Sequence, residues 1–144
     1  MDKIVFEPIG FIKSPFKELN EIPSQSVHAK DKRAVIEIKE ELKDGLKDLE
    51  TFSHIMVFFN FNKVTDYELL VKTPWSDEKK GVFATRSPKR PNEIGVSVVK
   101  LIKVEGCSVE IEGVDMLDGT PVLDIKPYAS NLNPNDANNG WLDE

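Results

Sequence analysis

Residues 81–97, Gly-Val-Phe-Ala-Thr-Arg-Ser-Pro-Lys-Arg-Pro-Asn-Glu-Ile-Gly-Val-Ser, crowd cations, turn formers and small polar groups into one stretch. Lys79, Lys80, Arg86, Lys89 and Arg90 place five cations and no carboxylate in residues 79–92 of a chain whose net charge is −6. Such concentration needs solvent or an anionic partner to screen it, so the stretch predicts an anion-binding rim on an otherwise acidic protein. A solvated surface is the plain alternative; Pro88 and Pro91 favour a ligand, because their fixed φ holds the cationic side chains in fewer conformations.

The second candidate is Asp115-Met116-Leu117-Asp118-Gly119-Thr120-Pro121. Asp-Gly reads first as the type I′ turn of a hairpin, where both central residues need positive φ. Functionally, Asp115 and Asp118 are two carboxylates three residues apart, suited to accepting hydrogen bonds from a ribose or attracting a cation. Other chemistries are missing: no glycine forms Gly-x-Gly, and no Gly-x-x-x-x-Gly-Lys phosphate loop exists. His28 and His54 stand alone, without the paired spacing of a metal site, and no Ser or Cys lies in a nucleophile elbow. His54 reads as a hydrogen-bonded residue at a strand end. No bound metal is expected.

The elements that must position these residues are strands. The spacing predicts strands over Ile4–Ile12, Ala34–Ile38, Ser53–Phe61, Tyr67–Lys72, Gly81–Thr85, Gly95–Val104, Cys107–Glu112 and Pro121–Lys126. Ser53–Phe61 is apolar enough to be buried on both faces, while Cys107, Val109 and Ile111 alternate with Ser108, Glu110 and Glu112. Lys39–Leu49, with Leu42, Leu46 and Leu49 interrupted by Gly45, predicts one or two short helical turns. The fold class is therefore all-β, a single antiparallel barrel that removes exposed sheet edges, with a sandwich as the alternative.

At 144 residues, 40% hydrophobic and 31% charged, the chain fits one soluble domain. Residues 1–129 form it, and the Asn- and Asp-rich residues 130–144 form a tail whose only sizeable apolar groups, Trp141 and Leu142, either dock on the barrel or a second subunit or stay loose. The longest apolar run, Ile55–Phe59, is too short to span a bilayer and no secretory segment opens the chain, so a cytoplasmic protein is expected. Cys107, the one cysteine, predicts an inert strand-core thiol. The negative charge opposes indiscriminate nucleic-acid binding but leaves room for selective binding through one basic rim.

The stretches Ile9–Phe16, Leu49–Ile55, Gly81-Val82-Phe83-Ala84-Thr85-Arg86-Ser87, Arg90-Pro91-Asn92-Glu93-Ile94-Gly95 and Leu117–Tyr128 together resemble the TsaA-like, or TrmO-type, family, in order and over residues 4–128. The resemblance implies a β-barrel, usually a homodimer, that uses S-adenosylmethionine to methylate N6 of threonylcarbamoyl-adenosine beside the anticodon of tRNA. It carries cofactor-binding roles to Arg86, Val96, Asp115, Leu117, Asp118, Gly119 and Thr120. Asn62 and Lys63 stand where bacterial members have His-Gln, and Ser26, Val27 and His28 replace a Pro-Gly-Leu-like contact. Glu93 departs from the usual Arg-Pro-Asn-Pro-Ile-Gly, and the chain ends near where bacterial members continue into a region that could contribute to tRNA binding.

The mechanism so implied is an in-line displacement in which the enzyme aligns donor and acceptor and accepts one proton. Arg86 is expected to pair with the cofactor's carboxylate, Asp115 or Asp118 to hold its ribose or adenine edge, and Asp118 to accept the proton. Lys79, Lys80, Lys89, Arg90 and Lys126 are expected on tRNA phosphates. Two rivals stand beside it: a methyltransferase for another substrate, and a non-catalytic barrel that binds a nucleotide or RNA.

Overall fold

The computed structural model describes residues 2–18, 21 and 32–144. Among them are β1 (Gly10–Lys13), β2 (Arg33–Ile38), β3 (His54–Asn60), β4 (Leu70–Val71), β5 (Lys80–Gly81), β6 (Ile94–Glu105), β7 (Ser108–Glu112) and β8 (Pro121–Pro127). Six of these close into an antiparallel barrel in the order β1-β2-β7-β6-β3-β8, while β4 and β5 form a separate ribbon. The helical turns expected over 39–49 are 3-10 turns at Glu40–Leu46 and Leu49–Thr51.

Alternation drives the closure. Ile36, Ile55, Val57, Val99, Val109, Ile111 and Val122 point inward and are essentially sealed from water. Each fully buried side chain of this size contributes roughly 1.5–3 kcal/mol, so the interior is the main stabilising element. Gly10 lets β1 approach β2 closely, since a Cβ there would meet the Glu37 carbonyl oxygen at 2.2 Å.

Several expected elements are shorter. The first strand begins only at Gly10; β8 pairs with it at just Gly10 and Phe11, and Ile4, Val5 and Phe6 lie exposed beyond that pairing. The stretch Gly81–Thr85 leaves the strand after Gly81 and closes a 3-10 turn at Val82–Ala84, where Thr85 returns both its amide and its hydroxyl to the Val82 carbonyl. β3 is sealed on one face only, because its Met56 and Phe58 side chains face outward and are half-buried. Cys107 precedes β7, in the tight β6–β7 turn beside Gly106 (φ 62°), and packs half-buried against the core from there rather than from within a strand.

The acidic turn is not a hairpin. β7 pairs with β2 and β6, and β8 with β1 and β3, so the connection through 113–120 crosses the end of the barrel instead of joining neighbours. Val114, Met116 and Leu117 plug that end. Gly119 has φ 83° while Asp118 does not enter the positive region, and the Thr120 amide donates to the Leu117 carbonyl at 3.2 Å, the pattern of a type II turn rather than type I′.

Candidate functional site

The plugged barrel end positions most of the acidic constellation. β3 exits through Phe61, Asn62, Lys63 and Val64, and the crossing connection supplies Asp115, Met116, Leu117 and Thr120; together with Phe59 they line one small depression. Five residues expected at a cofactor site, Asn62, Lys63, Asp115, Leu117 and Thr120, thus meet there from segments about fifty residues apart in sequence.

Asp115 is held by a residue that sequence reasoning missed. Ser97 is an inward-facing, buried position of β6, and its hydroxyl donates to Asp115 Oδ1 at 2.7 Å. A hydroxyl at an interior position of an otherwise apolar alternation was the available signal, since a buried polar group requires a partner. Gly95 lies two residues earlier on the same face, and a Cβ there would meet Phe59 Cζ at 2.5 Å and Phe61 Cζ at 2.7 Å. Its missing side chain sets the position of two rings in the wall, which meet edge-to-face at 5.0 Å. The Thr120 hydroxyl donates to the Leu117 carbonyl at 2.7 Å and fixes the turn from within.

Asp118 faces a different task. The Ser14 amide donates to its Oδ1 at 3.0 Å and the Lys17 ammonium to its Oδ2 at 2.9 Å. Lys17 first, and the Ser14 amide second, hold its carboxyl below the usual carboxylate range. A weaker base with both oxygens engaged is poorly suited to the proton acceptance expected of it; its bonds instead pin the turn to the chain just after β1. Gly119, exposed, extends the same attachment through its amide to the Ile12 carbonyl at 2.7 Å.

The basic stretch builds a second depression. Val71–Trp75, Phe83–Pro88, Trp141 and Leu142 line a groove of about 930 Å³, which contains Arg86 and shares no residue with the acidic one. Val96 lies in neither; it is on the outer face of β6, opposite Phe58. The carried-over cofactor residues therefore fall in three places on one chain, and Ser26, Val27 and His28 lie outside the described residues.

The cations divide similarly. Arg90 Nη1 donates to the Thr85 and Ser87 carbonyls at 2.9 and 3.1 Å, so this guanidinium staples the loop itself. Lys80, mostly buried, sits 5.3 Å from the centre of the Trp141 ring and 3.8 Å from Glu78. Lys89 pairs with Glu68 at 3.5 Å, Lys79 is exposed, and Lys126 is exposed on the outer face of β8 beside Met56. Trp141 anchors the tail on this groove by donating its Nε1–H to the Ala84 carbonyl at 2.8 Å.

The remaining titratable candidates are structural. Ser53 Oγ and His54 Nδ1 are 2.7 Å apart, and the Tyr128 ring meets the imidazole edge-on, as expected of a strand-end residue. The Cys107 thiol donates to Glu40 Oε2 at 3.0 Å; that bond, then desolvation, raises its pKa and keeps it protonated. Among the described residues no group of three or more His, Cys, Asp or Glu is placed to hold a metal, and no helix is long and apolar enough to cross a membrane.

Fold and site define a small closed barrel whose end carries an acidic, partly apolar depression, with a separate cationic aromatic groove on the same chain. The chain belongs to the tRNA-methyltransferase O N-terminal domain family, whose sequence model matches residues 11–133. It is 46% identical over 142 residues to a probable S-adenosyl-L-methionine-binding protein of Pyrococcus abyssi, covering 98% of this chain and 77% of that protein. A tRNA (adenine(37)-N6)-methyltransferase of Mus musculus is 44% identical over 132 residues, covering 87% of this chain and 31% of that one. Among solved structures, one described as TrmO superposes with a TM-score of 0.82 at 38% identity, over 98% of this chain and 63% of that chain. TrmO from Pseudomonas aeruginosa gives 0.81 at 39%, over 96% and 62%. The chain thus spans under two thirds of these two crystallised proteins and about a third of the mouse enzyme.

Proposed function

We propose that this protein is an S-adenosylmethionine-dependent tRNA methyltransferase acting on N6 of adenosine 37, in the form carrying a threonylcarbamoyl group. The observation that carries the reading is the meeting of Asn62, Lys63, Asp115, Leu117 and Thr120 in one depression at the barrel end. Similarity to an S-adenosyl-L-methionine-binding protein and to tRNA (adenine(37)-N6)-methyltransferases supports it.

The depression, of about 30 Å³, has room for only part of the cofactor, and the side chains around it suit one edge of that molecule. Asp115, oriented by Ser97, offers a carboxylate to nucleoside hydroxyls and a negative charge to a sulfonium, while Phe59, Phe61, Met116 and Leu117 give an apolar wall. When bound, S-adenosylmethionine supplies an electrophilic methyl group. The chain's own work is alignment: the Gly95 clearance sets the aromatic wall, Asp118 ties the turn to β1, and Arg86 offers a guanidinium to a carboxylate. Lys79, Lys89 and Lys126 are the cations positioned to meet RNA phosphates, with Lys80 and Arg90 shaping the groove and loop behind them.

The homodimer belongs to the same proposal. Ile94, Val96 and Val98 occupy the outward positions of β6, each roughly 40% exposed, where alternation calls for polar side chains, and Met56 and Phe58 continue the apolar stripe on β3. A second copy seated on this face explains why Val96 and Arg86 lie apart from the Asp115 depression: the site is shared between copies.

Two measurements test the function. S-adenosylmethionine raises the melting temperature if it binds the folded chain, and labelled methyl is transferred to tRNA carrying the threonylcarbamoyl group. Transfer to unmodified tRNA alone overturns the substrate, and no thermal shift overturns the enzyme.

A further inference from the structure

We propose that the groove between the β4–β5 ribbon and the C-terminal tail binds unstacked bases of the single-stranded RNA loop that carries the target adenosine; this rests on the tRNA reading above. No part of the Asp115 depression lines it. Three features of its lining point to the same ligand.

The first is flat apolar surface held open to solvent. Trp75 is 54% and Phe83 78% exposed, and Trp141 forms a third wall whose ring is fixed by its bond to Ala84 and by the Lys80 ammonium. Exposed aromatic faces suit nucleobases, which stack on them whatever their sequence. The second is charge. Residues 83–88 of the lining belong to the stretch 79–92, where this acidic chain concentrates five cations and no carboxylate. A strand passing along the groove would set its phosphates against Lys79 and Lys89, leaving Arg86 to the cofactor.

The third is an unsatisfied hydroxyl. Thr73 lines the groove, is 6% exposed, and its Oγ1 is the one buried side-chain polar atom without a hydrogen-bond partner among the described residues. A hydroxyl without a partner in a groove-lining residue can be satisfied by a base edge or a 2′-hydroxyl, each of which supplies donor and acceptor. Duplex RNA hides its base faces and cannot use such a groove.

Trp75 and Trp141 are the two tryptophans of the chain, and both line this groove, so intrinsic fluorescence reports on it directly. The full chain is titrated with an anticodon stem-loop RNA and with a fully paired RNA of equal phosphate count. The stem-loop quenches the emission and the duplex does not. Phe83→Leu and Trp75→Leu, both at exposed positions, each weaken stem-loop binding by about 5- to 150-fold, from the usual worth of one stacked base. Trp141→Phe leaves Trp75 as sole reporter and preserves the quench. The S-adenosylmethionine thermal shift stays unchanged in all three.

If the stem-loop is bound and methylated without quenching, or with equal affinity in the Leu variants, the bases lie elsewhere and the groove assignment falls while the enzyme stands. If the quench and its loss in the variants are seen but no methyl is transferred, the groove stands and the enzymatic reading falls. If the Leu variants change only the oligomeric mass, the groove is an interface between copies and the assignment is overturned.

Discussion

Replacing Asp118 by asparagine and by alanine separates a base from a brace. In the asparagine variant the side-chain oxygen still accepts the Ser14 amide, so only the ion pair with Lys17 is lost. Both partners are substantially exposed, 65% and 36%, so screening limits the loss to about 0.2–1 kcal/mol. Alanine also removes the acceptor of the Ser14 amide, and Ser14 is buried, which adds about 1–3 kcal/mol for a donor left without a partner. At roughly 2–4 °C per kcal/mol for a domain of this size, the asparagine variant melts within a few degrees of the parent and the alanine variant several degrees lower. Urea unfolding gives the stabilities, and single-turnover methyl transfer with saturating S-adenosylmethionine gives the chemistry. A folded asparagine variant that has lost transfer would make Asp118 the proton acceptor after all; equal destabilisation by both substitutions would remove the Ser14 bond from the account.

The same carboxylate sets an acid limit. Because its pKa is lowered on folding, its contribution is fully present above the unfolded value, about pH 4, and disappears as pH falls through the folded value. Parent and Asp118→Asn stabilities should therefore converge at low pH, as denaturation between pH 3 and 6 would reveal.

Further outcomes follow from other parts of the structure. Mixing Arg86→Ala with Asp115→Ala chains restores about a quarter of the parent transfer rate if each site draws on both copies, since half the dimers are mixed and hold one intact site; a mixture as inactive as its parts would place the site within one chain. Gly95→Ala drives a methyl group into the Phe59 and Phe61 rings, costing about 1–3 kcal/mol and shrinking the S-adenosylmethionine thermal shift more than its effect on folding explains. The Cys107 thiol reacts slowly with an alkylating reagent at neutral pH, and Glu40→Gln accelerates the reaction by removing the negative charge that disfavours the thiolate; equal rates would show that Glu40 does not protect it. Glu93 holds φ 52°, a region closed to proline, so Glu93→Pro destabilises the loop while Glu93→Gly is neutral or mildly stabilising in thermal melts.

Much of this molecule was legible before folding. Two-residue periodicity in β7 marked Val109 and Ile111 as sharing one face, because a strand facing a closed core must alternate, and a chain of short strands without long helices has few ways to remove its edges. The five cations of 79–92 and the two carboxylates of the acidic turn were likewise visible in residue type alone. Strand ends were less so: nothing in Ile4, Val5 and Phe6 reveals that β8 offers them no partner, and nothing in Phe83 shows that a turn at Val82–Ala84 turns it out to solvent.

Composition and local pattern thus determined that the chain is an all-β protein, a barrel or a sandwich, with a basic stretch and an acidic turn, since those depend on short-range alternation and charge counts. Tertiary structure alone decided that the turn crosses the barrel end instead of closing a hairpin, that Ser97 holds Asp115 while Ser14 and Lys17 occupy Asp118, and that Trp141 folds back onto Ala84. The reason is separation along the chain: Asp118 is 104 residues from Ser14, and Trp141 is 57 from Ala84, so only closure of the barrel brings such partners within hydrogen-bonding reach.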